Sequence, residues 1–162
     1  MVIRSDDANR APLLVNARSS ILARVADLEE DIALLERAFQ TLAKQFDAVR
    51  AGDTTLMTRF WCPDLKIRNV DGWPVPGEYH GYEGFRHWFD ETFGEFSGYT
   101  PERATYARVG DRVIACVHSR WSGPHGEEVV PQVALCFAIR DGRIAGMDVF
   151  LDEGRARAAA LP

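Results

Sequence analysis

The residues best suited to chemistry in this chain are two amides and an imidazole. Asn69 lies in the stretch Leu65–Val70, on the side shared by Leu65 and Ile67 and opposite Lys66 and Arg68. Alternation along a strand sends every second side chain to one face, so Asn69 is predicted to point inward. A neutral amide there can orient water or hold an oxygen, but it cannot take a proton as a general base. His118 is the only histidine inside a strand-like stretch, and imidazole titrates near neutral pH. Alternation puts it on the outer face with Arg120; a one-residue bulge would reverse that. Gln132 is placed on the inner face with Ser119 and Trp121. The catalytic candidates are therefore Asn69 and Gln132, as hydrogen-bond donors or water orienters, and His118, as proton carrier.

Other chemistries find less support. His80 and His87 are seven residues apart with no third ligand in a supporting pattern, so no metal site is expected. The three cysteines, Cys62, Cys116 and Cys136, are odd in number and widely spaced. They imply neither a disulfide framework nor a zinc knuckle, and Cys116 and Cys136 sit in apolar company as buried thiols. The chain carries no nucleophile elbow, phosphate loop or dinucleotide fingerprint, so no cofactor is implied. A net charge of −5 without a basic run argues against nucleic acid as a partner. The sequence has no apolar run near the roughly 18 residues of a membrane span, and no signal-peptide core at its start. No membrane partner and a cytoplasmic location are the expectations.

These residues need a scaffold, and the hydrophobic pattern supplies one. Residues 1–19 show no clean period and read as a flexible N-terminal arm. Ser20 to Ala51 has neither Gly nor Pro, with apolar residues from Ile21 to Val49 stepping by fours and threes. That spacing predicts a long amphipathic helix, with a second start allowed near Asp27–Asp31. Gly52–Asp53 ends it and caps a short helix, Thr54–Trp61, stopped by Pro63. A strand follows at Leu65–Val70, then a Pro/Gly-rich loop over Asp71–His80 and a helix over Gly81–Phe96. Beyond Gly98 the period becomes that of strands: Tyr99–Val109, Arg112–Trp121, Val129–Arg140 and Arg143–Leu151. Asp141–Gly142 is the strongest hairpin signal. An alanine-rich helix closes the chain. Helices gathered before a run of turn-connected strands predict an α+β domain over residues 20–162, with an extended N-terminal helix.

In this order, FDAVRAGD, FWCPDLKIRN, YHGYEGFRHWF, GDRVIACVHSRW and AIRDGRIAGMDVFLDEGRA resemble the nuclear transport factor 2-like superfamily, and within it the SnoaL-like proteins. The resemblance runs from about Ile32 to Leu161. It implies a cone: a curved antiparallel or mixed sheet wrapped over N-terminal helices, with an internal pocket. It also implies a homodimer formed through the outer face of the sheet.

The resemblance carries residue roles only one position at a time. Ketosteroid isomerases have an aspartate base where this chain has Asn69, and their oxyanion donors fall on Gln45 and Ala134, which argues against steroid isomerisation. Limonene epoxide hydrolase-like enzymes do have an asparagine at the position of Asn69. The rest of their polar set falls on Ser119, Val117 and Val149. The strand aspartate of SnoaL-like cyclases has Asp148 as its only counterpart, and that residue is placed outward. The implied function is a small-molecule pocket protein, a cofactor-independent isomerase, cyclase or hydratase acting on an apolar or polycyclic ligand. The alternative is a non-catalytic ligand-binding or dimerisation module. The expected pocket residues are Phe46, Trp61, Ile67, Trp73, Tyr79, Trp88, Ser119, Trp121 and Met147, with the loop Asp71–His80 as the rim.

Overall fold

The computed structural model describes residues 11–70 and 75–161, with side chains from residue 20 onward. Helix α1 spans Ala11–Lys44. It begins inside the stretch expected to be a flexible arm, whose residues 1–10 lie outside the described residues. Pro12 is tolerated there because a first-turn residue needs no intrahelical N–H bond. The helix runs unbroken past Asp27–Asp31 and breaks instead at Gln45. The Gln45 N–H is shared between the carbonyls of Thr41 (2.9 Å) and Leu42 (3.2 Å). The short α2, Phe46–Arg50, then turns Phe46 and Val49 into the core. Gly52 ends it at a φ of 98°, a conformation that costs glycine little. Asp53 Oδ1 accepts the Thr55 N–H at 2.8 Å, satisfying a donor at the start of α3, Thr55–Phe60.

Strand β1 runs Trp61–Asn69, beginning earlier than the alternation from Leu65 predicts. Its pairing with β7 shifts register between Trp61 and Lys66. Pro63 sits in that irregular step, where a residue without an N–H is tolerated. The end of the predicted loop is itself a strand, β2, Gly77–His80, antiparallel to β1. Helix α4, Gly81–Phe93, follows at once and buries Phe85, Trp88 and Phe89.

Strands β3 (Gly98–Val109), β4 (Arg112–Ser122), β6 (Gln132–Arg140) and β7 (Arg143–Phe150) pair antiparallel with one another as β3–β4, β4–β6 and β6–β7, with the two-residue β5 (Glu128–Val129) paired antiparallel to β4. The β6–β7 turn has Asp141 and Gly142 both at positive φ, 52° and 70°, as an Asp-Gly hairpin requires. The described residues form a seven-stranded sheet ordered β2-β1-β7-β6-β4-β3, in which only β1 and β7 run parallel.

The sheet curls over α1–α4 and encloses the main core, where Leu35, Leu65 and Ile67 are fully buried. Burying each such side chain stabilises the fold by roughly 1.5–3 kcal/mol. On the outer face Ile114, Cys116, Ala134, Cys136 and Phe150 meet Ala156 and Ala160 of helix α5, Glu153–Ala160. The thiols of Cys116 and Cys136 are buried as expected, and burial pushes both above the ordinary thiol range.

Candidate functional site

A cavity of about 110 Å3 lies between the sheet and the helices. Its walls come from α1, α3, α4, the start of β1 and the inner faces of β3, β4, β6 and β7. Half-buried Phe39, Leu42, Pro131 and Val133 line the side where α1 meets the start of β6. Of the expected rim at Asp71–His80, the described residues 75–80 are not among the lining and β2 packs on α4; residues 71–74, Trp73 among them, lie outside the described residues.

Trp121 is the centre of the aromatic wall. Its ring stacks on Phe93 at 4.0 Å with 2° between planes, and Tyr99 lies 4.5 Å away. Its indole N–H donates to Ser119 Oγ at 2.9 Å. The two residues are neighbours on one face of β4, so strand alternation fixes the bond. Ser119 keeps its own hydroxyl proton as a donor.

Tyr99 is a second hydroxyl-bearing residue of the lining, and it also borders the open groove between α2 and the start of β3. Among the described residues its hydroxyl makes no hydrogen bond within the chain. Burial pushes its pKa far above the ordinary tyrosine range, with Tyr106 adding to the shift. Near neutral pH it is therefore a protonated donor. Tyr99 pairs with Trp121 and Tyr106 with Ala115, so both share the inner face although seven residues separate them. The register shift between Pro101 and Arg103 makes this possible. Simple alternation misses Tyr99 for that reason; Pro101 within the strand was the available signal of a bulge.

Of the expected pocket residues, Trp61, Trp88, Ser119, Trp121 and Met147 line the cavity. Phe46 and Ile67 are buried beside it as core, with Phe46 against Phe89 and Trp121. Tyr79 faces α4, where its hydroxyl donates to Glu91 Oε2 at 2.7 Å. Burial first, then that carboxylate, raises its pKa to about 12.

The three catalytic candidates are not brought together. Asn69 points inward and is 5% exposed, but both ends of its amide are occupied. Its Oδ1 accepts the Trp88 indole N–H at 2.9 Å and its Nδ2 donates to the Val75 carbonyl at 2.6 Å. His118 faces outward, its ring nitrogen 3.2 Å from Arg103 Nη2. Gln132 is exposed and pairs with His118, so it shares the outer face. The inward expectation for Gln132 fails because the chain leaves the β-ladder between Val129 and Gln132, which resets the alternation. Asp148 is outward and bonded to Arg68 Nη2 at 2.7 Å. His80 and His87 are exposed beside Glu78 and Glu91.

The site is thus an apolar, largely aromatic cavity with two hydroxyl-bearing residues, Ser119 and Tyr99, in its lining. Among the described residues no carboxylate, imidazole or ammonium group lines it. It can desolvate a ring and hydrogen-bond an oxygen on it.

No curated protein matches the chain. Solved structures share its fold. TerC, co-crystallised with polyporic acid, is 14% identical, with a TM-score of 0.61 over 81% of this chain and 98% of that one. A nuclear transport factor 2-like protein of unknown function from Burkholderia pseudomallei is 12% identical, with a TM-score of 0.58 over 78% of this chain and 93% of its own. A protein from Jannaschia described as a SnoaL-like polyketide cyclase is 16% identical, with a TM-score of 0.54 over 82% and 92%. At these identities the likeness is one of fold. The family model of the SnoaL-like domain matches residues 42–147, from the end of α1 to β7. With well over half its length matched and the helices and curled mixed sheet in the expected order, the chain belongs to the SnoaL-like domain family.

Proposed function

We propose that this chain takes a small apolar ligand bearing a ring and one oxygen, and promotes its isomerisation, cyclisation or hydration without a cofactor. The observation that supports this most is the pairing of an aromatic wall with two hydroxyl-bearing residues, Tyr99 and Ser119, in the lining of an otherwise apolar cavity. Size narrows the ligand. A cavity of about 150 Å3 lined by hydrocarbon holds benzene, so about 110 Å3 takes roughly one ring. A polycyclic ligand needs Phe39 or Leu42 to move aside or must leave part of itself at the mouth. A neighbour co-crystallised with polyporic acid and another described as a polyketide cyclase are in keeping with such a ligand.

The chemistry follows from the donors. A Tyr99 hydroxyl aimed at a carbonyl oxygen stabilises negative charge as it develops there, and it does so in a dry site where a hydrogen bond is worth more than in water. The proton has to leave to water or to a basic group of the ligand itself. Substrates whose carbon acid is already activated by neighbouring carbonyls fit that requirement.

The test uses acetophenone and phenol as single-ring probes, followed by tryptophan fluorescence, with exchange of the ketone α-protons read by NMR. Saturable quenching that weakens in Tyr99→Phe, with protein-dependent exchange, supports the proposal. Binding without exchange supports the non-catalytic alternative, and no saturable binding of either probe overturns both.

A further inference from the structure

A groove of about 450 Å3 opens between α2 and the start of β3. It is polar where the cavity is apolar: Lys44, Gln45, Asp47, Thr100 and Ser122 border it. Among the described residues Lys44 and Asp47 have no ion-pair partner, and the side chains of Gln45, Thr100 and Ser122 make no hydrogen bond within the chain. The groove and the cavity meet at Tyr99, which lines both. Phe46 also borders the groove, and its ring packs on Phe89 and Trp121 of the cavity wall, at 5.7 and 5.8 Å between centroids. Phe46 and Tyr99 therefore stand between the two spaces.

The Tyr99 hydroxyl is open to this junction. Among the described residues, the side-chain polar atoms both sealed from open space and without a partner are Thr92 Oγ1 and Arg108 Nε. The Tyr99 oxygen lacks a partner too but is not sealed, although its residue is only 7% exposed. Buried polar groups are normally hydrogen-bonded, so this phenol is left for something outside the chain. The partition beside it is a separate segment. Phe46 is carried on the five residues of α2, set off by the break at Gln45 and by the positive φ of Gly52. A turn of the Phe46 ring joins cavity and groove.

We propose that this groove is the second half of the ligand site, and that it takes a neutral polar arm, an amide or a hydroxyl-bearing chain of a few atoms, attached to the ring held in the cavity. The assignment rests on the cavity reading above. Size supports it: about 110 Å3 takes roughly one ring, so the rest of a larger ligand must leave the cavity. Past Tyr99 the space it enters is polar. Charge sets the class of the arm. The groove has one cation, Lys44, and one anion, Asp47, beside Gln45, Thr100 and Ser122, each of which can both donate and accept. An acceptor on the arm suits Lys44 and a donor suits Asp47, and a primary amide carries both. An ionised arm meets a like charge as well as an opposite one.

The experiment titrates the full chain with 3-phenylpropanamide and with phenol, followed by tryptophan fluorescence. The amide is expected to bind at least about fivefold more tightly than phenol, the worth of one added hydrogen bond. Lys44→Ala and Asp47→Ala should each lower that ratio about 3- to 10-fold. Both residues are exposed, so a thermal melt of each variant should match the parent. 3-Phenylpropanoate and 3-phenylpropylammonium, with the same skeleton and an ionised arm, should both bind more weakly than the amide. An amide no tighter than phenol, a ratio that neither variant moves, or either ion binding more tightly than the amide overturns the groove assignment while phenol binding keeps the cavity reading. No saturable binding of phenol or of the amide overturns both.

Discussion

The indole nitrogen of Trp88 on α4 donates to Oδ1 of Asn69 on β1 at 2.9 Å, and the same amide donates through Nδ2 to the Val75 carbonyl. One buried side chain thus fixes a cavity-lining tryptophan and the backbone entering β2 together. Asn69→Ala strands the buried Trp88 N–H and the part-buried Val75 carbonyl, each costing up to about 1–3 kcal/mol when left unsatisfied. A loss of roughly 2–4 kcal/mol in urea denaturation is expected, with a change in the near-ultraviolet circular dichroism of Trp88. A variant within about 0.5 kcal/mol of the parent contradicts the positioning role.

Alternation from Leu65 and Ile67 correctly turned Asn69 inward, because β1 is regular from Lys66 to Asn69. Period could not show that both ends of the amide are engaged, since Trp88 and Val75 reach it through tertiary packing. The same limit explains the other misses. Gln132 was read through a continuous strand from Val129, but the break before β6 reset its face. Tyr99 was hidden by the bulge at Pro101–Arg103. The element order and the hairpin at Asp141–Gly142 were legible because local chemistry decides them. The cavity's exact walls depend on which helix faces which strand, and that is a long-range property.

Tyr99→Phe removes a hydroxyl that has no hydrogen-bond partner in its own chain among the described residues. Its unfolding midpoint should stay near the parent value. Affinity for a ring ketone should fall about 2- to 10-fold, the worth of one neutral hydrogen bond. Fluorescence titration beside a thermal melt separates the two. Equal affinity in parent and variant removes Tyr99 from the site.

His118→Gln tests the outward placement from the other direction. The imidazole is partnered with Arg103 on the far face of β4 from Ser119 and Trp121. The substitution should leave probe affinity and any turnover unchanged within about twofold, and alter stability by less than about 1 kcal/mol, as surface changes generally do. A loss of turnover of about tenfold or more in this variant, with the fold intact, would restore the histidine as proton carrier.

Gly84 on α4 sits against β2. A Cβ built there would come within 2.9 Å of the Tyr79 carbonyl carbon and 3.3 Å of its Cα. Backbone cannot swing aside as a side-chain tip can. Gly84→Ala should therefore cost about 1–3 kcal/mol by overpacking, although alanine is the better helix former by about 1 kcal/mol. Gly126, where nothing lies within 4 Å, has a φ of 84°; its alanine variant tests backbone strain without crowding. A Gly84→Ala protein as stable as the parent would mean that α4 and β2 do not pack this closely.

Tyr79 makes the alkaline limb of stability informative. Its pKa is raised from 10.0 to about 12, by burial and by the Glu91 carboxylate that its hydroxyl meets. The folded chain holds this proton more tightly than the unfolded chain does. Its stabilising share is therefore complete below about pH 10 and is lost as pH rises through about 12. The share amounts to something on the order of 2 kcal/mol, since one pKa unit is worth about 1.4 kcal/mol. Tyr79→Phe keeps the buried ring and removes the titration, so its stability should fall less steeply over that pH window. Urea midpoints at a series of alkaline pH values, with tyrosinate absorbance followed in parallel, read the difference. Tyr99 and Tyr106 also titrate late, so the parent curve retains some slope in the variant. Identical slopes in the two proteins would place the Tyr79 hydroxyl in solvent rather than against Glu91.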